Sequence, residues 1–135
     1  WARGATEVCM QGGIHPYYTG HTYLDICRMV KEACPGMHVH AFSPLEVSHG
    51  AKTLGLSLRD FLTELKAAGL GTLPGTAAEV LDDEVRAVIC ADKLTTAQWL
   101  EVMREAGAAA RRLVAVGGGT KSRIWSPSGI RRRRS

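Results

Sequence analysis

Three strand-like segments recur at a fixed interval, and that interval constrains the fold more than any other feature of the chain. "ATEVCMQ", "MHVHAF" and "GLGTLPG" begin at residues 5, 37 and 69, which places them 32 residues apart. Each is followed by a stretch with helical periodicity. In "HTYLDICRMVKEAC" the residues Tyr23, Cys27, Val30 and Cys34 fall on one face, and Pro35-Gly36 stops the pattern. Ser57 precedes "LRDFLTELKAAG", where Leu58, Phe61, Leu62 and Leu65 form an apolar stripe that ends at Gly69. "AAEVLDDEVRAVI" reads as a further helix, and Thr95 with Gln98 reads as a capping box that opens "AQWLEVMREA". Strands joined by helical crossovers of this length are parallel. The expected fold class is therefore α/β, either a doubly wound sheet or a partial (β/α) TIM-type barrel. A whole barrel takes about 250 residues, so about three βα units would be part of one.

Charge divides the chain in two. Residues 107–135 hold eight basic side chains and no acid, whereas residues 1–106 hold 9 basic and 13 acidic ones. The expected organisation is a mildly acidic α/β body over 1–106 and an irregular, disordered basic tail over 107–135. The Arg131–Arg134 run lacks aromatic interleaving beyond Trp125, so nucleic acid is not expected as a partner. A hydrophobic content of 45% and a charged content of 22% are globular values. No apolar run reaches the roughly 18 residues that span a bilayer, and no signal peptide is visible. The expected setting is cytoplasmic, with no membrane partner. The four cysteines Cys9, Cys27, Cys34 and Cys90 match no zinc-knuckle or cluster-loop spacing and read as reduced thiols. The first residue is Trp rather than Met, which leads us to expect a native start further upstream or a chain that was cut.

In either architecture the chemistry sits at the C-terminal ends of the strands. Those ends are "QGGIHP", "AFSPLE" and "LPGTAAE", all rich in Gly, Pro, Ser, Thr or acid. Gly12-Gly13 brings bare backbone to a strand end, suited to close approach of a ligand or simply to a tight turn. It has neither G-x-G-x-x-G nor P-loop spacing. His38 and His40 share a strand face and His15 lies near a neighbouring strand end. The three imidazoles would suit zinc or iron in a metal-dependent barrel hydrolase, or else make substrate or core contacts. Glu46, after Ser43-Pro44, and Glu79, after Thr76, place carboxylates where an amine or a ribose hydroxyl would be bound. Asp82, Asp83 and Glu84 read as a solvated helix start favoured by the dipole.

Taken together, "GATEVCMQGGIHP", "YLDICRMVKEACPGMHVHAFSPLEV" and "PGTAAEVLDDEVRAVI" resemble the tyrosine-using half of the deazaflavin (FO) synthases, a radical S-adenosylmethionine family. The resemblance runs from residue 2 to about residue 106, and "PGTAAE" is its most specific piece. The sister enzymes of futalosine-type menaquinone synthesis are similar elsewhere but typically carry "GGGAE" at that point. The resemblance implies a barrel that holds S-adenosylmethionine and a 4Fe-4S cluster at its strand ends. The implied reaction takes hydrogen from L-tyrosine and joins the 4-hydroxyphenyl-bearing fragment to 5-amino-6-(D-ribitylamino)uracil. A second radical enzyme or half-protein then closes the ring. By position the resemblance puts Gly12, Gly13, Thr76 and Glu79 toward the cofactor, and His15, His38, His40, Ser43 and Glu46 toward substrate.

Three departures accompany it. Tyr17 stands where the family usually has an acid, the cluster-binding C-x-x-x-C-x-x-C is absent, and the text after Ala106 matches nothing in the family. The expectation is an FO-synthase fragment, inactive alone, whose open sheet edges favour poor solubility or oligomers. Its tail would stem from a frame slip, a bad join or a pseudogene end. The alternatives are a sister radical enzyme of futalosine-type menaquinone synthesis, a metal-dependent barrel hydrolase using His15, His38 and His40, or a non-enzymatic fragment whose basic tail binds nucleic acid.

Overall fold

The computed structural model describes residues 1–114, the last five by backbone alone. The order of elements is β1 (Glu7–Met10), α1 (Gly20–Ala33), β2 (His38–Ala41), α2 (Pro44–Leu54), α3 (Leu58–Ala67), α4 (Asp83–Ile89) and α5 (Thr96–Val114). β1 and β2 are parallel, in the register Glu7↔His38 to Met10↔Ala41. The class is α/β, as the alternation of periods implied.

The third strand-like segment contributes less than a strand. Thr72 forms a single parallel bridge with His40, and Gly71 N–H and Thr72 N–H both donate to the Val39 carbonyl at 2.8 and 3.1 Å. Gly71 lies against the His38 ring, where a Cβ would come within 2.4 Å of it. The glycines and Pro74 around Thr72 keep the pairing short.

Alternation along the strands decides which face is covered. Val39 and Ala41 are fully buried and join the core, with Val8 and Met10 packed against it. Glu7 and Cys9 are exposed on the opposite face and His38 and His40 are half-buried. Against the covered face pack Tyr23, Leu24 and Cys27 of α1, Val47 and Ala51 of α2, Phe61, Leu62 and Leu65 of α3, and Val102 of α5. α2 approaches the aromatic core closely because Gly50 has no side chain; a Cβ there would meet the Phe61 ring at 2.6 Å.

α2 is a helix that the apolar periodicity of the sequence does not mark. Ser43 and Glu46 form its capping box, Pro44 opens it, and Gly55 closes it in the left-handed region at φ 66°. The helix expected over 77–89 starts only at Asp83. Asp82 captures the N–H groups of Glu84 and Val85 at 3.0 and 3.2 Å, while Ala77 and Glu79 take positive φ values of 57° and 43°. The capping box of α5 forms in both directions, from Thr95 N–H to the Gln98 side chain at 2.9 Å and from Gln98 N–H to Thr95 Oγ1 at 3.3 Å. α5 runs to Val114 and so crosses the boundary drawn at residue 106. The remainder of the basic tail, Arg131–Arg134 included, lies outside the described residues. Among the described residues no helix is long and apolar enough to cross a membrane.

Candidate active site at the strand ends

The residues singled out by sequence fall into four groups. The first joins the ends of β1 and β2. Glu46 is 3% exposed. Its Oε1 accepts from Gly12 N–H at 3.0 Å, and its Oε2 accepts from Ser43 N–H at 2.7 Å and Ser43 Oγ at 2.8 Å. Gly13, one residue on, is exposed, with nothing within 4 Å of the position a Cβ would take.

Immediately before this group the backbone is strained. Phe42 has φ 69°, an uncommon value for a residue with a large side chain. Its N–H donates to the Met10 carbonyl at 3.0 Å. Phe42 is 3% exposed, and its ring meets that of Tyr23 edge-on at 5.1 Å. The Tyr23 hydroxyl is buried without a hydrogen-bond partner among the described residues. Burial first, and then the Glu46 carboxylate, push its pKa up to about 12.

The second group lies on the open face of the sheet. His38 Nε2 and His40 Nδ1 both reach Thr72 Oγ1, at 2.8 and 2.6 Å, and His38 Nε2 stands 3.7 Å from Glu7 Oε2. Thr72 was not singled out by sequence reading. Its separation from His40 is 32 residues, the strand interval itself, and that was the signal available.

His15 belongs to a third group. It is exposed beside Tyr17 and Tyr18, with ring centroids at 5.5 and 5.0 Å, and its Nδ1 accepts from Tyr17 N–H at 3.3 Å. His15 does not join His38 and His40. Among the described residues no three His, Cys, Asp or Glu side chains gather in a way that suits a metal ion. His49 lies on α2 with its Nε2 3.0 Å from the Tyr18 carbonyl.

The fourth group surrounds the loop 76–82. Glu79 pairs with Lys93 at 2.5 Å and stands 3.9 Å from Arg86. The Thr76 carbonyl accepts from the Trp99 indole N–H at 3.0 Å, and Thr76 Oγ1 is buried without a partner among the described residues. Arg86, which sequence reading passed over, is 3% exposed. Its guanidinium donates to the carbonyls of Ala78, Val80 and Leu94. An arginine inside "DDEVRAVI" looks like part of a charged helix face, and only the tertiary path of the loop reveals its partners.

No protein-family model matches the chain. Individual proteins do. An FO synthase of Streptomyces avermitilis is 61% identical over 106 residues, which is 78% of this chain and 12% of that protein. Homologues of this chain are thus named FO synthase. The FO synthase of Mycobacterium tuberculosis is 55% identical over 103 residues. A 5-amino-6-(D-ribitylamino)uracil–L-tyrosine 4-hydroxyphenyl transferase of Methanosphaerula palustris is 47% identical over 105 residues, 29% of its length. The chain thus spans about an eighth of the FO synthases it matches, and less than a third of the transferase. The similarity to FO synthase covers one segment of a much longer protein and places the chain's body in an enzyme lineage.

Proposed function

We propose that the body of this chain supplies three βα units of the barrel of a tyrosine-using FO synthase, a radical S-adenosylmethionine transferase. The carrying observation is the 61% identity to FO synthase over 106 residues. The structure offers compatible architecture, since parallel β1 and β2 with the Thr72 segment beside them form a ribbon covered by helices on one face. In a barrel the uncovered face, with Glu7, Cys9, His38 and His40, would look into the lumen.

In this reading L-tyrosine and 5-amino-6-(D-ribitylamino)uracil are the substrates, as named for the Methanosphaerula relative, and a second FO-synthase half completes the ring. Gly12 and Gly13 offer exposed backbone to S-adenosylmethionine, with Thr76 and Glu79 on the loop that follows the Thr72 segment, beyond β2. When bound, S-adenosylmethionine supplies the 5′-carbon that takes hydrogen from tyrosine. His38 and His40, tied together through the Thr72 hydroxyl, would orient polar groups of a substrate in the lumen. His15 lies at the rim, and Ser43 and Glu46 form the floor of the same strand-end group.

The four thiols do not fit a 4Fe-4S cluster. Cys27 and Cys90 are buried, Cys34 is half-buried, Cys9 is exposed, and no three of them gather. The ligands of a cluster would belong to another stretch of the longer protein, and this chain alone would be inactive.

The test is a chimera in which residues 2–106 replace the matching segment of the Streptomyces avermitilis FO synthase. Deazaflavin fluorescence is expected to persist. A chimera that folds and carries its full complement of iron, yet forms no FO from both substrates, would sink the reading.

A further inference from the structure

We propose that Glu46 is a positioning residue. It acts through the backbone of Gly12-Gly13, holding that strand end open in one geometry, and does not itself meet a ligand. The functional part of this proposal rests on the reading that Gly12-Gly13 faces S-adenosylmethionine.

Three observations carry it. The carboxylate is 3% exposed, so it is shielded from anything bound above the strand ends. Both of its oxygens are already engaged, by Gly12 N–H, Ser43 N–H and Ser43 Oγ. Those donors come from two different strand ends, Gly12 lying 34 residues from Glu46. A hydrogen bond to a charged acceptor is stronger than a neutral one, so at 3.0 Å it still restrains the peptide plane that precedes Gly12. Two glycines in succession would otherwise sample a wide range of backbone angles. The charge is accommodated by dipoles: Glu46 lies in the first turn of α2, where the unpaired N–H groups favour an anion.

The position also explains why an acid is required where a polar neutral residue would cap the helix equally well. A glutamine has one acceptor oxygen, and its NH2 group would face either Gly12 N–H or Ser43 N–H. An aspartate keeps the charge and can still cap α2 from the same turn. It is shorter by one methylene, about 1.5 Å, and withdraws from Gly12.

The experiment follows backbone amides of the full 135-residue chain by NMR, in the wild type, Glu46→Asp and Glu46→Gln, with and without S-adenosylmethionine. The expected result is that the Gly12 amide exchanges about tenfold faster in both variants, while the amides of Val39, Phe61 and Leu65 stay protected. In the wild type, S-adenosylmethionine is expected to shift the Gly12 and Gly13 resonances, and its affinity is expected to fall about tenfold in Glu46→Asp although the α2 cap persists. Unchanged exchange at Gly12 in both variants overturns the clasp. Core amides that lose protection together with Gly12 overturn it too, since Glu46 would then be a determinant of the fold at large. An absence of any S-adenosylmethionine shift in the wild type overturns the cofactor reading of this loop, and the Gly12 exchange rates still judge the clasp separately.

Discussion

Two strand-end regions of this molecule are each gathered around one buried ionic side chain, and the two charges are opposite. Glu46 and Arg86 are equally hidden, each 3% exposed. Glu46 collects N–H groups, from Gly12 and Ser43. Arg86 collects carbonyls, from Ala78, Val80 and Leu94. The backbone around Glu46 is the regular start of a helix, where surplus N–H groups already point at an anion. The backbone around Arg86 is an irregular loop with two non-glycine residues at positive φ. An anion can thus be seated at a strand end mostly by the local start of a helix, with Gly12 as its one distant donor. A cation that gathers carbonyls needs a loop folded back on it, with residues held where they would not otherwise sit.

Arg86→Met leaves three carbonyl groups without their donor and is expected to destabilise the chain by about 3–5 kcal/mol in urea titration. Arg86→Lys is expected to recover less than half of that, because an ammonium lacks the planar fork that reaches several carbonyls at once. If lysine restored full stability, the fork geometry would be irrelevant.

Alkaline pH probes the other region. Tyr23 is buried beside Glu46, and its pKa rises from 10 to about 12, with burial the larger cause. The unfolded chain ionises first, so the stability present below pH 10 is expected to fall by about 2–3 kcal/mol as the pH climbs to 12. Cys27, pushed up to about 11 mainly by burial, adds a decline from about pH 9. Tyr23→Phe should flatten the upper part of the curve and leave the thiol part in place, as read by denaturation midpoints between pH 8 and 12. An unaltered slope in Tyr23→Phe would show that the phenol is not the titrating group.

The smallest effect concerns backbone strain. Gly55, at φ 66°, closes α2 with the residue best suited to that angle, whereas Ala77 sits at φ 57° with a side chain. Gly55→Ala is expected to cost about 1 kcal/mol, and Ala77→Gly to gain about 0.5–1 kcal/mol. Calorimetric midpoints moving in the same direction for both would contradict this contrast between the loops.

Much of the architecture was legible because it rests on local patterns. The first strand pair, the apolar stripe of α3 and the Thr95–Gln98 box each reappear in the structure, while the third repeat is reduced to the single His40–Thr72 bridge. α2 was missed although "SPLE" is itself a capping-box signature with proline at the first position. The stretch after it buries only Val47, Gly50 and Ala51, too few apolar side chains to register as a periodic stripe. Residues 77–82 were read as helix because their composition suits one; the Arg86 guanidinium and the Asp82 cap draw them out of it. At the candidate site, Ser43, Glu46 and Gly12 come together as strand-end neighbours do. The imidazole trio does not assemble, because His15 follows two glycines that carry it toward Tyr17 and Tyr18. Thr72 and Arg86 were invisible for opposite reasons: one is an ordinary residue made special by register, the other a charged residue that reads as surface.

Phe42 confronts substitution with two incompatible demands. Its backbone angle is one that glycine adopts freely, while its buried ring fills space against Tyr23 that glycine would leave empty. Isoleucine or valine would fill part of that space and tolerate the angle still less. Glycine relieves the angle and empties the space, and a β-branched residue worsens the angle, so such changes at the end of β2 call for a second change in the aromatic cluster. Position 42 is a point where the histories of the strand end and of the core are tied to each other.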